Sequence, residues 1–155
     1  MAISFIYTRC TNPNKCARVS HTMAGLRAEA EKAGLAGKVR LLLVSYDPEF
    51  DTPAILKDYG AKHGVRCDDS LMLLRPDPTQ KMKLFDHLDV AVNFNSSGVN
   101  IHGIQLYLFD KQGRLARIDR TLKRIGQTCN QLQIILQFLC GGHAFVRVLR
   151  NQADT

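Results

Sequence analysis

The chain has 155 residues, of which 45% are hydrophobic and 23% are charged, and this length suits one domain, residues 1–155, with a single hydrophobic core. Its five cysteines are an odd number, which excludes a secreted framework in which every cysteine is paired. The formal net charge of +7 does not indicate nucleic-acid binding, because the basic residues are scattered and lack the interleaved aromatic residues of a stacking surface.

The first predicted elements are a strand and a helix. Residues 3–8 form a short apolar run that is typical of a buried strand. Asn14 follows a turn signal and can cap a helix that ends at Gly34 and Gly37. One face of this helix is apolar at alternating four- and three-residue spacing, which predicts that it packs inward. The residues of that face are Val19, Met23, Leu26, Ala30 and Ala33.

A second strand and helix follow. Residues 39–44 are almost continuously apolar, as in a strand buried on both faces. Asp51 is a candidate cap and Pro53 a first-turn proline for a second helix, which ends near Gly64. We interpret Asp47 as a turn residue before a proline that could also support a site at this strand end. The apolar residues of the helix are Ile55, Leu56 and Tyr59.

The alternation continues through the middle of the chain. Residues 71–74 are a third short apolar strand, and residues 77–80 have the pattern of a capping box that begins a third helix. The apolar residues of that helix are Leu84, Phe85 and Leu88. Residues 93–103 are polar and contain glycine and serine, so we predict a loop there.

The last predicted elements are a hairpin and a helix. Residues 104–109 and 115–119 form two strands joined by a tight turn. Residues 127–139 form a helix, after which residues 144–149 add a strand or lie on the surface. The order β-α-β-α-β-α-β-β-α implies an α/β fold with a mostly parallel central sheet and helices on both faces.

Two cysteines lie where the first strand gives way to the first helix. Cys10 follows the strand and Cys16 falls in the predicted first turn of the helix, at the sheet edge where α/β folds place their sites. The helix dipole and the nearby Arg9, Lys15 and Arg18 favour an ionised sulfur. The two sulfurs can close a disulfide or chelate one soft metal, and their spacing alone matches no specific metal motif.

Three segments resemble signatures of the Sco/SenC family, in the order in which the family has them. They are FIYTRC at residues 5–10, VSYDPEFDTP at residues 44–53 and IHG at residues 101–103. Members of that family are thioredoxin-fold proteins that carry copper to the binuclear copper centre of cytochrome c oxidase, and they are also credited with thiol–disulfide activity. The resemblance implies a thioredoxin-like three-layer sandwich, shortened at its N-terminus.

The resemblance also implies the site residues. By position, the two cysteines and the distant histidine of the family correspond to Cys10, Cys16 and His102, as ligands of one copper ion, Cu(I) or Cu(II). Two thiolates and an imidazole form a soft donor set that suits Cu(I), whereas structural zinc usually takes four protein ligands. The family usually spaces its cysteines C-x3-C with a following proline, but here residues 11–15 intervene and Ala17 follows.

Three functions remain open from the sequence. The first is a copper metallochaperone that delivers copper to the copper-bearing subunit of cytochrome c oxidase or to another copper or thiol protein. The alternative is a thiol–disulfide reductase, an enzyme in which Cys10 and Cys16 are the catalytic redox pair and no metal is needed. The third is an interaction module without chemistry, whose cationic surface docks on an acidic partner or on a membrane face.

Location follows from the resemblance as well, which implies a periplasmic or membrane-associated protein. We predict neither a signal peptide nor a membrane anchor within the chain, because it lacks both a cationic leader and an apolar run of about 20 residues. The remaining cysteines and the helical histidines are interpreted as core, loop or solvated residues. They are Cys67, Cys129, Cys140, His21, His63 and His87.

Overall fold

The computed structural model describes residues 1–96 and 98–120. Their elements in chain order are β1 (Ala2–Ile6), a π-helical turn (Pro13–Ala17), α1 (Arg18–Lys32), β2 (Leu41–Ser45), α2 (Pro53–Lys62), β3 (Leu71–Leu74), α3 (Lys81–His87), β4 (Val92–Asn95), β5 (Gly98–His102), β6 (Leu106–Phe109) and β7 (Leu115–Asp119). The predicted helix at 127–139 and the terminal segment at 144–149 lie outside the described residues. That residues 1–155 form one domain therefore stays a prediction.

The central sheet has five strands in the order β3-β2-β1-β6-β7. Helical crossovers connect β1 to β2 and β2 to β3, and each of these pairs is parallel, as such connections require. A tight turn joins β6 to β7, and this pair is antiparallel, as is β1 with β6. The predicted α/β fold is confirmed, and the sheet is mixed, with its parallel half in β3-β2-β1.

Both faces of this sheet are covered, because successive side chains of a strand point to opposite faces. Ile6 of β1 packs on one face together with α1 and α2. Phe5 packs on the other face with α3 and the β4–β5 hairpin. The predicted inward face of α1 is confirmed, since all five of its residues belong to the buried core.

The predicted loop at residues 93–103 is wrong, because β4 and β5 pair there as an antiparallel hairpin. Its buried side is supplied by Val99 and the partly buried Val92 and Phe94, while Asn93 and Asn95 are exposed. The polar outer face hides the alternation, since asparagine, serine and glycine are also typical of loops. The hairpin matters for function because β5 ends at His102.

Two predicted helix caps are also wrong. The cap of α2 is Thr52, whose hydroxyl accepts from the Ile55 N–H at 3.4 Å, and Asp51 is instead fully buried. At the first helix, the Asn12 side chain accepts from the Asn14 N–H at 2.9 Å and caps the π-helical turn. In each case a polar residue one or two positions earlier or later in the chain competes for the same role, and sequence pattern cannot rank the two.

The capping box predicted at residues 77–80 does not form. The Asp77 carboxylate accepts from the backbone N–H and the hydroxyl of Thr79, which makes a local turn ahead of the helix. α3 begins at Lys81 without a side-chain cap. An aspartate that satisfies a turn two residues ahead is no longer available to a helix end.

Candidate metal centre

Cys10, Cys16 and His102 converge at one point of the structure. One ligand atom from each residue lies within 4.8 Å of the other two. Cys10 is in the loop after β1, Cys16 is in the π-helical turn, and His102 is the last residue of β5. Cys16 and His102 are buried, whereas Cys10 is partly exposed. The β4–β5 hairpin thus carries a distant histidine to the two cysteines.

The loop between the cysteines folds back through the π-helical turn. Lys15 has non-helical backbone angles, φ −112° and ψ −106°, in the middle of this turn. The kink absorbs the five residues between the cysteines and still turns Cys16 inward, where only 1% of its surface is exposed. The Tyr7 backbone N–H donates to Cys16 Sγ at 3.3 Å, which fixes the sulfur beside the end of β1.

His102 is held against Cys16 by its surroundings. Its Nε2 lies 3.2 Å from Cys16 Sγ, and two ligands bound to one first-row metal ion stand roughly 3–4 Å apart. The imidazole packs at a tilt against the ring of Tyr46 and edge-on to the ring of Tyr7, with centroids 5.5 and 5.9 Å away. Lys15 Nζ donates to the His102 carbonyl at 3.3 Å. The ring is therefore positioned before any ligand binds.

The protonation states differ from the sequence prediction. Burial raises the pKa of the Cys16 thiol to about 12, and the Tyr7 N–H opposes this only in part. The prediction of an ionised Cys16 is therefore wrong for the metal-free protein, because desolvation outweighs the cations and the helix dipole. Burial, and then the charge of Lys15, lower the pKa of His102. At neutral pH the site offers a thiol and a neutral imidazole.

Two acidic residues brace the loops around the site. Asp47 pairs with Arg9 at 2.5 Å, and Asp51 accepts hydrogen bonds from the hydroxyls of Thr8 and Ser45. These contacts tie the loop after β1 to the segment after β2. Sequence reasoning assigned Asp51 to capping and missed this role, although two acids four residues apart after a strand were a usable signal.

Gly98 brings the β4–β5 hairpin onto this braced loop. Its φ is +117°, and a Cβ at this position would lie 2.5 Å from Arg9 Nη2 and 3.3 Å from the Tyr7 hydroxyl. Only glycine adopts such an angle without strain. The hairpin that carries His102 and the loop that carries Cys10 therefore meet at a residue without a side chain.

We expect Gly98→Ala to destabilise both the hairpin and the site. Backbone strain should lower the free energy of unfolding by about 1–3 kcal/mol, and displacement of Arg9 from Asp47 should add up to about 1 kcal/mol. Gly113→Ala is the matched control, since Gly113 also has a positive φ, +78°, with open space around its Cβ position. Urea unfolding and Cu(I) affinity measure the two effects. If both variants lost the same free energy of unfolding and Gly98→Ala kept the parent Cu(I) affinity, the hairpin contact at Gly98 would not be coupled to the site.

The model of the SCO1/SenC family matches residues 1–137. No curated protein matches the sequence at a significant level.

Three solved structures show the same fold. ScoI of Bradyrhizobium japonicum, determined with copper bound, is 24% identical, with a TM-score of 0.65 over 89% of this chain and 83% of that one. A SCO1/SenC family lipoprotein of Bacillus anthracis is 25% identical, with a TM-score of 0.68 over 88% and 79%. BsSco, described by its disulfide switch and as a member of the Sco family of cytochrome c oxidase assembly proteins, is 19% identical, with a TM-score of 0.69 over 92% and 80%. The predicted thioredoxin-like fold is confirmed.

Proposed function

Because the chain belongs to the SCO1/SenC family, we propose that it binds one copper ion through Cys10, Cys16 and His102 and delivers it to the binuclear copper centre of cytochrome c oxidase. The observation that carries this proposal is the convergence of two sulfurs and one imidazole within 4.8 Å. Copper is here the cargo of the protein. The copper-bound ScoI relative and the assembly role stated for BsSco support both parts of the proposal.

The donor set fits copper better than it fits structural zinc. Sulfur and imidazole ligands in a three-coordinate set suit Cu(I), and zinc usually requires a fourth protein ligand, which the described residues do not provide at this point. His102 Nδ1 is buried with no hydrogen-bond partner among these residues. A buried ring nitrogen without a partner is costly, and this cost is more typical of a residue kept for a function, such as coordination through Nε2, than of one kept for stability.

Delivery would proceed by exchange of ligands at the exposed side of the site. Cys16 and His102 are buried and braced, whereas Cys10 is partly exposed and its thiol donates to the Asn12 carbonyl across a long contact of 3.7 Å. A cysteine of the acceptor can therefore approach the ion beside Cys10, which would be released first. Transfer of this kind needs both cysteines reduced, because a disulfide has no thiolate to offer.

Copper transfer to an acceptor tests the proposal. The reduced protein, loaded with one equivalent of Cu(I), is mixed with the copper-free soluble copper-bearing domain of cytochrome c oxidase, and copper in each protein is measured after separation. We expect copper on the acceptor from the parent protein and from Cys67→Ser, whose cysteine is exposed and outside the site. Binding without transfer would contradict delivery to this acceptor.

Copper loading should depend on pH in a defined direction. Cys16 carries a proton throughout the neutral range because its pKa is raised to about 12, so the ion must displace that proton. The apparent Cu(I) affinity should then rise roughly tenfold per pH unit for each displaced proton. His102 adds nothing to this slope above neutrality, since its lowered pKa leaves it already neutral.

A competition titration with a colorimetric Cu(I) chelator between about pH 7 and pH 9 measures this slope. Cys16→Ser is the matched variant, and its slope should be smaller by one proton. An affinity that is flat with pH in the parent protein would show that Cys16 does not bind copper as a thiolate.

Thiol–disulfide exchange is a second candidate function. The observation that favours it is that the sulfurs of Cys10 and Cys16 lie within 4.8 Å of each other, close enough for a small shift to join them. The buried Cys16 thiol, with its raised pKa, is a poor attacking group, so Cys10 would attack and Cys16 would resolve. Failure of a Cys10–Cys16 disulfide to form under mild oxidant would exclude this activity and leave copper binding untouched.

For location, we propose a periplasmic or membrane-associated protein, in keeping with the lipoprotein relative from Bacillus anthracis. Among residues 1–96 and 98–120, none of the helices has the length and apolar character needed to cross a membrane.

A further inference from the structure

Two histidines outside the candidate metal centre face each other across the first two helices. His21 lies on α1, and His63 directly follows α2 as its C-terminal cap residue. Their ring centroids are 6.0 Å apart and the ring planes are tilted by 54°. The sequence interpretation of two separate solvated histidines is therefore incomplete, because the fold of α1 against α2 makes them a pair.

The helix contact beneath the pair keeps both rings in place. The hydroxyls of Ser20 and Tyr59 are 2.9 Å apart and share a hydrogen bond, and the Ser20 hydroxyl also donates to the Cys16 carbonyl at 3.0 Å. The His63 ring packs on the Tyr59 ring at 4.4 Å. His63 is half-buried by this packing, whereas His21, the residue after Ser20, is exposed.

We propose that His21 and His63 form a second metal site, which binds copper(II) or nickel(II) between α1 and α2. A first-row metal ion lies about 2 Å from a ligating ring nitrogen and therefore roughly 3 Å from the ring centre. Two imidazoles on opposite sides of one ion thus have centres roughly 6 Å apart, which is the separation found here. The square-planar and tetragonal geometries of copper(II) and nickel(II) place ligands opposite each other, whereas tetrahedral zinc does not.

The surroundings of the histidine pair include influences that favour cation binding and influences that oppose it. Burial, and then the charges of His21 and Lys62, lower the pKa of His63, so its ring nitrogen is free to bind a cation at neutral pH. Lys62 also repels a bound cation. Among the described residues, no cysteine, histidine or acidic side chain supplies a third ligand at this point. Water must complete the coordination shell, and the site should bind more weakly than the three-ligand centre.

This second site is independent of the proposed copper delivery, because it uses neither the cysteines nor His102. Its affinity should follow the order nickel(II) below copper(II). Nickel(II) is a better probe than copper(II), because it does not oxidise the cysteine thiols that remain once Cys10 and Cys16 have been replaced by serine. The test is done in a full-length Cys10→Ser, Cys16→Ser background, so that its result does not depend on whether the first site binds copper.

In that background, nickel(II) alone is titrated by calorimetry near neutral pH, and the melting temperature is measured with and without nickel(II). We expect His21→Gln and His63→Gln each to weaken binding by roughly tenfold or more and to remove the rise in melting temperature that nickel(II) causes. His87→Gln is the matched control, because His87 is an exposed helical histidine on α3, and it should behave as the background protein does.

His21→Gln decides the question, since an exposed side chain can be replaced without loss of packing, and circular dichroism checks that the fold is kept. Unchanged nickel(II) affinity in His21→Gln would overturn the proposal. An equal loss in His87→Gln would overturn it too, because binding would then reflect scattered surface histidines.

Discussion

Cys16→Ser is expected to lower the Cu(I) affinity of the reduced protein by at least about 100-fold. Replacing a residue that only supports a metal ligand typically costs 10–100-fold, so loss of a ligand itself should cost at least the upper end of that range. Cys16 is 1% exposed and lies 3.2 Å from His102 Nε2, so neither water nor a flexible side chain can replace its sulfur. A hydroxyl in the same place is a hard, protonated donor that Cu(I) does not favour.

Titration of the reduced proteins with Cu(I) against a competing chelator measures this effect. Cys67→Ser is the matched control, since it removes an exposed cysteine and should keep the parent affinity. His102→Ala should lose affinity as well, because the buried imidazole is the third donor. Parent affinity in Cys16→Ser would place the copper elsewhere and end the case for this centre.

The local pattern predicts most of the fold because burial of the sheet is regular. β3 was predicted with its observed bounds, and β1, β2 and α2 lie within two residues of their predicted starts or ends. Continuous apolar runs mark strands that are covered on both faces. The hairpin at β4 and β5 was missed because one of its faces is exposed and polar. The apolar signal of a strand is therefore limited to the partly buried Val92 and Phe94 and the buried Val99.

Prediction of the site depended on resemblance for its long-range part. Cys10 and Cys16 are neighbours in sequence, so their approach could be argued from the strand end and the helix start. His102 is 86 residues beyond Cys16, and it reaches the site only through the hairpin that local pattern failed to show. Spacing cannot specify such a contact, because it arises from how β5 packs over the sheet.

Burial explains the one error of chemistry at the site. The sequence shows Arg9, Lys15 and Arg18 near Cys16, and charge counting favours a thiolate. In the structure the sulfur is covered, and desolvation is the largest influence on its pKa. The consequence for function is that the metal-free protein holds Cys16 as a thiol, so that copper binding and proton release are coupled.

We expect a second large effect, on the free energy of unfolding, from Phe5→Ala, which removes a ring from the core that supports His102. Phe5 is 1% exposed and its ring contacts those of Tyr46, Phe85 and Tyr107, with centroids 5.4, 5.6 and 5.8 Å away. Removal of a buried phenylalanine costs about 3–5 kcal/mol through lost transfer energy and the cavity that remains. Urea unfolding should show this loss.

Phe50→Ala is the control for that loss, because Phe50 is 42% exposed and its ring lies under the Arg9 guanidinium at 4.1 Å, a contact worth about 0.5–1 kcal/mol. Tyr46 links the core to the site, since its ring lies against both Phe5 and His102. Phe5→Ala should therefore also weaken Cu(I) binding, and Phe5→Leu, with a smaller loss of roughly 1–3 kcal/mol, keeps the comparison possible if the alanine variant unfolds. If Phe5→Leu lost stability and bound Cu(I) as tightly as the parent protein, His102 would be positioned by the hairpin alone and not by the aromatic core beneath it.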